Sequence, residues 1–186
     1  GTISLTLRAN VNGPCSFTTD EMTLTVTASP AANAGSDEET CQDVPFDLST
    51  SAVPPSASNY SSLLWTASVP GGSFNDNTIL HPIYTPPLGY NGTIILTLSA
   101  YGNGKCATLV ANDDMTLTVT ASPVANAGSD EETCQDTPFD LSTSAVPPSA
   151  SNYSSLLWSA SEPGGSFNDN TLLQPIYTPP AGYNGT

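Results

Sequence analysis

The sequence predicts an all-β protein built from tandem sandwich domains, and three observations carry that reading. The chain repeats itself: residues 23–93 return as residues 116–186, 93 positions later, with only seven differences. Short stretches that alternate β-prone apolar residues with polar ones recur at regular spacing. With 17 Pro and few runs of Lys, Glu or Ala, there is no room for a long helix. The period suits a small independent domain and is too long for a solenoid turn. Near-copies in tandem extend, present or multiply something; they rarely house one unique active site.

Taken in order, the predicted strands are residues 2–7, 22–27, 46–50, 63–67, 93–100 and 115–120. Ile3, Leu5 and Leu7 alternate with Ser4 and Thr6, and Met22, Leu24 and Val26 alternate with threonines. Between the strands stand turn clusters: Asn12-Gly13, Val53-Pro54-Pro55, Pro70-Gly71-Gly72, Pro86-Pro87 and Asn103-Gly104. Short strands punctuated this way read as β-sandwiches. A finished Met-Thr-Leu-Thr-Val-Thr strand runs into Ala-Ser-Pro at residues 28–30 and again at 121–123, which marks the domain edges. Residues 1–28 then read as the closing hairpin of a preceding domain, 29–120 as one complete domain, and 121–186 as the first strands of a following one. The expectation is a segment of a longer array, with short Pro-containing linkers that stiffen it into a semi-rigid rod.

Charge excludes some partners. Asp and Glu number 17 against 2 Lys plus Arg, a formal charge of −15. Such a field repels phosphate backbones, so nucleic acid is not an expected partner. Anionic membranes are disfavoured too, and no apolar run is long enough for insertion. No leader is legible, as expected of an internal segment.

The four cysteines fall at matched repeat positions: Cys41 with Cys134, and Cys106 with Cys15. Disulfides in an oxidising compartment suit that pattern, which places the protein outside the cell. Zinc is the rival and fails on ligand count, because the one histidine, His81, becomes Gln174 in the next copy. The preferred pairing is Cys41–Cys106, whose closed loop would restrict the unfolded chain by roughly 4 kcal/mol. The order Cys41, Trp65, Cys106 supports it. A simple strand order could instead put the two at opposite ends of the sandwich, making each a staple to a neighbouring repeat. Cys15 and Cys134 are expected to pair outside the sequence.

Several motifs together resemble a known family. Pro123-Val124-Ala125-Asn126-Ala127-Gly128-Ser129-Asp130 is similar to the opening strand of PKD and related immunoglobulin-like repeats. Thr40-Cys41, Leu64-Trp65, Gly72-Ser73-Phe74, Tyr84-Thr85-Pro86, Gly104-Lys105-Cys106 and Asp114-Met115-Thr116-Leu117-Thr118 resemble the Cys-containing repeats of giant surface adhesins in Bacteroidetes-type bacteria. The resemblance spans the whole chain, although the WDFGDG-like run of ordinary PKD domains is missing after the Trp. It implies an immunoglobulin-like sandwich, a cell-surface or extracellular setting, type IX secretion, and a part in gliding motility or attachment.

Candidate sites follow from residue type. Trp65 and Trp158 read as equivalent core residues of a central strand. Tyr60, Tyr90 and Phe74 lie in turn-rich segments, where glycan contact and turn packing are both open. The acidic loops offer oxygen ligands to calcium from Asp37, Glu38, Asp43, Asp113 and Asp114, but without the spacing of an EF-hand. Solvated acidic loops are the plainer reading. Asn59, Asn91, Asn152 and Asn184 fit a glycosylation sequon, which such a composition also yields by chance. Catalysis finds no support, since no nucleophile has a base that persists in both copies. No cofactor is implied beyond calcium.

The function expected is therefore a structural and adhesive spacer in a very large secreted surface filament. Its partners would be neighbouring repeats and, if it binds at all, a surface polysaccharide. Alternatives are a carbohydrate-binding array of a polysaccharide-degrading enzyme, or a pilin-like subunit completed by a strand from another molecule.

Overall fold

The computed structural model describes residues 1–185. Within them the protein is all-β, with three single-turn 3-10 segments at Leu48–Thr50, Gly104–Cys106 and Leu141–Thr143. It forms two compact units, Gly1–Thr120 and Ala121–Thr186.

The first unit opens with β1 (Thr2–Ala9) and β2 (Thr18–Thr25), an antiparallel hairpin in which every residue is exposed. The sandwich that follows contains β3 (Ala31–Asn33), β4 (Glu38–Cys41), β5 (Phe46–Asp47), β6 (Ser56–Ser58) and β7 (Tyr60–Ala67). Then come β8 (Ser73–Phe74), β9 (Ile83–Thr85), β10 (Gly92–Gly102) and β11 (Val110–Thr120). One layer is a four-stranded sheet ordered β4-β11-β10-β7, with β4 parallel to β11 and the other pairs antiparallel. Facing it are the short sheets β5-β9-β8 and β3-β6.

Period-2 alternation builds the core. Leu63 and Trp65 on β7, Ile94, Leu96, Leu98 and Ala100 on β10, and Met115, Leu117 and Val119 on β11 all point inward. They meet Ala34, Leu48 and Tyr84 from the opposite layer, with Phe46 and Phe74 partly buried against them. Phe74 stands between two aromatic partners, its ring 6.2 Å from Trp65 and 4.8 Å from Tyr84.

The predicted strand 46–50 divides. β5 is only two residues long, because the Asp47 carboxylate accepts the Ser49 N–H and turns Leu48–Thr50 into a capped 3-10 segment. Capping competes with pairing wherever Asp and Ser stand two apart.

The second unit repeats only part of this plan. β12 (Val124–Asn126) pairs with β14 (Ser149–Ser151), and β16 (Ile176–Thr178) joins β13 (Phe139–Asp140) to β15 (Ser166–Phe167). These are the counterparts of β3, β6, β9, β5 and β8. Among its described residues no strand corresponds to β4 or β7. Both of those pair with the β10–β11 hairpin in the first unit, and among the described residues of the second unit no hairpin offers either a ladder to join. Trp158 is accordingly half-buried, which corrects the expectation that it would be as buried as Trp65.

Candidate functional site

The acidic residues proposed for calcium serve instead as acceptors for backbone N–H groups. Asp113 Oδ2 accepts from Ala34 N at 2.8 Å, and Asp37 Oδ1 accepts from Thr116 N at 2.8 Å. Glu38 Oε1 accepts from Ser36 Oγ and Ala52 N, both at 2.7 Å. Asp43, held at φ 62°, accepts the Gly89 N–H at 2.7 Å. Asp114 sits opposite Thr97 in the β10–β11 ladder. Among the described residues no three His, Cys, Asp or Glu side chains gather into a metal-holding group. The possible calcium ligands are thus dispersed, with Asp37 and Asp43 flanking β4, Glu38 within it, and Asp113 and Asp114 in β11.

The second unit preserves these struts where their partners exist. Glu131 accepts from Ser144 Oγ, Ala145 N and Ser129 Oγ, and these bonds, Ser144 first, pull its pKa below the ordinary value. Asp136 accepts the Gly182 N–H at 2.7 Å, as Asp43 does for Gly89. Hydrogen bonds from Ser49 hold Asp47 below its usual range, and those from Ser142 do the same for Asp140. Thr78 has that effect on Asp76, and Thr171 on Asp169.

His81 has a role that sequence reasoning missed. Its Nε2 lies 2.9 Å from Pro55 O, and in the other copy Gln174 Nε2 donates to Pro148 O at 3.2 Å. Histidine and glutamine both present a nitrogen donor at similar reach, so the exchange conserves a loop bracket. The signal was present in the His81/Gln174 difference itself, as a swap between two donors.

The aromatic candidates separate. Tyr60 begins β7 at 38 % exposure, and its copy Tyr153 is 46 % exposed. Tyr90 packs against the core and donates its hydroxyl to Thr93 O at 2.8 Å, so it is a turn residue. Phe74 lies in the aromatic stack. A shallow recess bordered by Trp65, Val69, Pro70 and Phe74 opens at the surface, but the Trp65 indole is sealed at 1 % exposure and offers no face for stacking.

The sequon nitrogen of Asn59 donates to Ser29 O at 3.2 Å, and Asn152 does the same to Ser122 O. Both asparagines take positive φ, so they act as loop ties.

All four cysteines are free thiols. Cys41 ends β4 beside Thr120, the last residue of β11. Cys106 ends the 3-10 turn that leads into β11 from its other end. Those ends are roughly 33 Å apart at the usual strand rise, whereas a disulfide needs Cα atoms within about 7 Å. The preferred Cys41–Cys106 pairing is therefore corrected: parallel pairing of β4 with β11 carries the two to opposite ends. Cys106 turns toward the N-terminal junction, with its Sγ 3.5 Å from Thr27 O.

Compared with protein-family models and with curated proteins, the chain matches none. No helix among the described residues is long and apolar enough to cross a membrane.

Proposed function

We propose that this chain is a spacer segment of a secreted surface filament or adhesin, in which immunoglobulin-like sandwiches repeat to give reach. The observation that carries the reading is how the polar side chains are used. Carboxylates, sequon asparagines and the one histidine bracket loops, and the same brackets recur 93 residues later. A sequence that conserves its loop ties between copies is conserving shape. The acidic surface keeps such a thread soluble, and the motif resemblance to giant Bacteroidetes-type adhesins agrees with that use. Many copies that each bind weakly would also gain avidity through effective concentration.

The carbohydrate-binding reading rests on one observation, the exposed Tyr60 and Tyr153 at equivalent positions. Immobilised chain titrated with a panel of soluble polysaccharides separates the two. The spacer reading expects no saturable binding. Saturable binding lost in Y60A with Y153A would establish the glycan-binding array.

A further inference from the structure

On the array reading above, which this inference presupposes, we propose that Cys106 is one half of a disulfide stapling its repeat to the one before. Its partner is the cysteine that holds the place of Cys41 in that preceding repeat. The β1–β2 hairpin and the sandwich after it lie in one compact unit, Gly1–Thr120, so the junction between them is on view. Cys106 stands at that junction. The Asn103-Gly104 turn starts a 3-10 segment between β10 and β11 that ends at Cys106, whose Sγ donates to Thr27 O at 3.5 Å. That contact joins positions 79 apart in sequence. The side chain is only part-buried, so an oxidant can reach it.

The partner's place follows from the β4–β11 register. Cys41 lies directly beside Thr120, and the next amide, Gln42 N–H, donates to Thr120 O at 2.8 Å. Residues 22–27 repeat residues 115–120 letter for letter, so Thr27 holds the place of Thr120. In the preceding repeat the Cys41 counterpart therefore lies beside Thr27, one strand spacing of about 4.8 Å away. A carbonyl oxygen has two lone pairs, so Thr27 O can take the Gln42-type amide on one and meet Cys106 on the other. Two thiols from adjacent repeats thus stand against one residue, within the roughly 7 Å Cα separation that a disulfide spans. Inside one repeat the same two thiol types sit at opposite ends of β11. Only the pairing between repeats brings them together.

Oxidation removes the two Sγ protons and passes two electrons to oxidised glutathione, which leaves as two thiols. The bond changes how the array responds to pulling. From Cys106 to Cys134 the chain covers less than a third of a repeat. A covalent path that alternates this segment with a staple crosses two repeats at a time. Full extension of the unfolded array then falls to roughly a sixth of its unstapled value, since reach scales with the number of residues in the path. A stapled spacer holds its length when a sandwich opens.

The test places a copy of residues 29–91 ahead of Gly1 in the intact 186-residue chain, because Gly1 holds the place of Gly92. Three versions each keep two cysteines and carry Ser at the others (C15S, C41S, C106S or C134S as each requires). One keeps the added copy of Cys41 with Cys106, one the added copy with Cys15, and one the original Cys41 with Cys106. In a glutathione redox buffer only the first should lose both maleimide-reactive thiols, with the joined peptide recovered from a monomeric band. Hydrogen-exchange protection of β1 and β2 should rise to that of β10 and β11, reporting that the added segment completes the preceding sandwich. Protected β1 and β2 with the first pair still reduced, or joined only between chains, would overturn the staple and leave the array reading standing. Equal oxidation of either rival pair would overturn it as well. If β1 and β2 gain no protection, the array reading fails and the staple fails with it.

Discussion

Trp65 and Trp158 hold the same place in two nearly identical sequences, yet Trp65 is 1 % exposed and Trp158 is only half-buried, on a segment that forms no strand. Trp65 N donates to Asn77 O and Trp158 N donates to Asn170 O, both at 2.8 Å, so the local turn is the same. What differs is β10, which flanks Trp65 through Leu98. Truncation should reveal this difference. Trp65→Ala is expected to cost about 3–5 kcal/mol, the range for a large buried aromatic, and Trp158→Ala much less. Denaturant unfolding, followed by hydrogen exchange in each unit, measures both.

His81→Gln should be nearly neutral, because glutamine makes the equivalent contact at position 174. His81→Ala leaves the Pro55 carbonyl without this donor in a part-buried site and should cost about 1–2 kcal/mol. Equal destabilisation by Gln and Ala in urea titrations would refute the bracket.

Glu131 provides a pH prediction. Its folded-state pKa lies below the ordinary 4.5, chiefly through the Ser144 hydroxyl and then the Ala145 N–H. A depressed carboxylate contributes stability that is fully present above 4.5 and is lost as pH falls through the folded value. The Ala145 amide should keep its protection factor near neutrality and lose it once the solution is more acidic than that value. In E131Q the step should vanish, since the amide side chain does not titrate. An Ala145 exchange profile with the same acid step in E131Q would rule Glu131 out as its source.

Much of this fold was legible because its signals are local. The 93-residue repeat, the alternation in residues 93–100 and 115–120, and the turn clusters each declare themselves within a few positions. The four-stranded sheet and its apolar face follow from them. The site was harder to read because its partners are distant in sequence. Nothing near Asp113 announces that it binds Ala34, 79 residues away. The cysteine pairing failed for the same reason. Sequence order places Trp65 between Cys41 and Cys106, but the parallel β4–β11 pairing decides which ends meet. That pairing is a long-range choice that no local pattern encodes.

Calcium should leave the protein unchanged. Asp37, Glu38, Asp43 and Asp113 are each engaged by a different backbone N–H, from Thr116, Ala52, Gly89 and Ala34 respectively. An ion that binds the folded state raises its melting temperature by mass action. Scans in calcium and in chelator should therefore superimpose. A calcium-dependent rise would require these carboxylates to leave their present partners.

Gly72 lies close against Tyr84 of the aromatic stack. A Cβ on Gly72 would collide with Tyr84 Oη and lie 2.7 Å from its Cζ. Gly72→Ala should therefore cost about 1–3 kcal/mol, as overpacking does. The Tyr84 hydroxyl is buried with no hydrogen-bond partner among the described residues, and burial raises its pKa. Tyr84→Phe removes that unsatisfied group, so it should be neutral or stabilising. The two changes must couple, because the hydroxyl is the first atom the new methyl meets. Relief in the double variant should be partial, since the ring carbon still crowds the added methyl. A double-mutant cycle by urea unfolding reads the coupling directly. Strict additivity would show that the backbone at Gly72, and not the tyrosine, absorbs the strain.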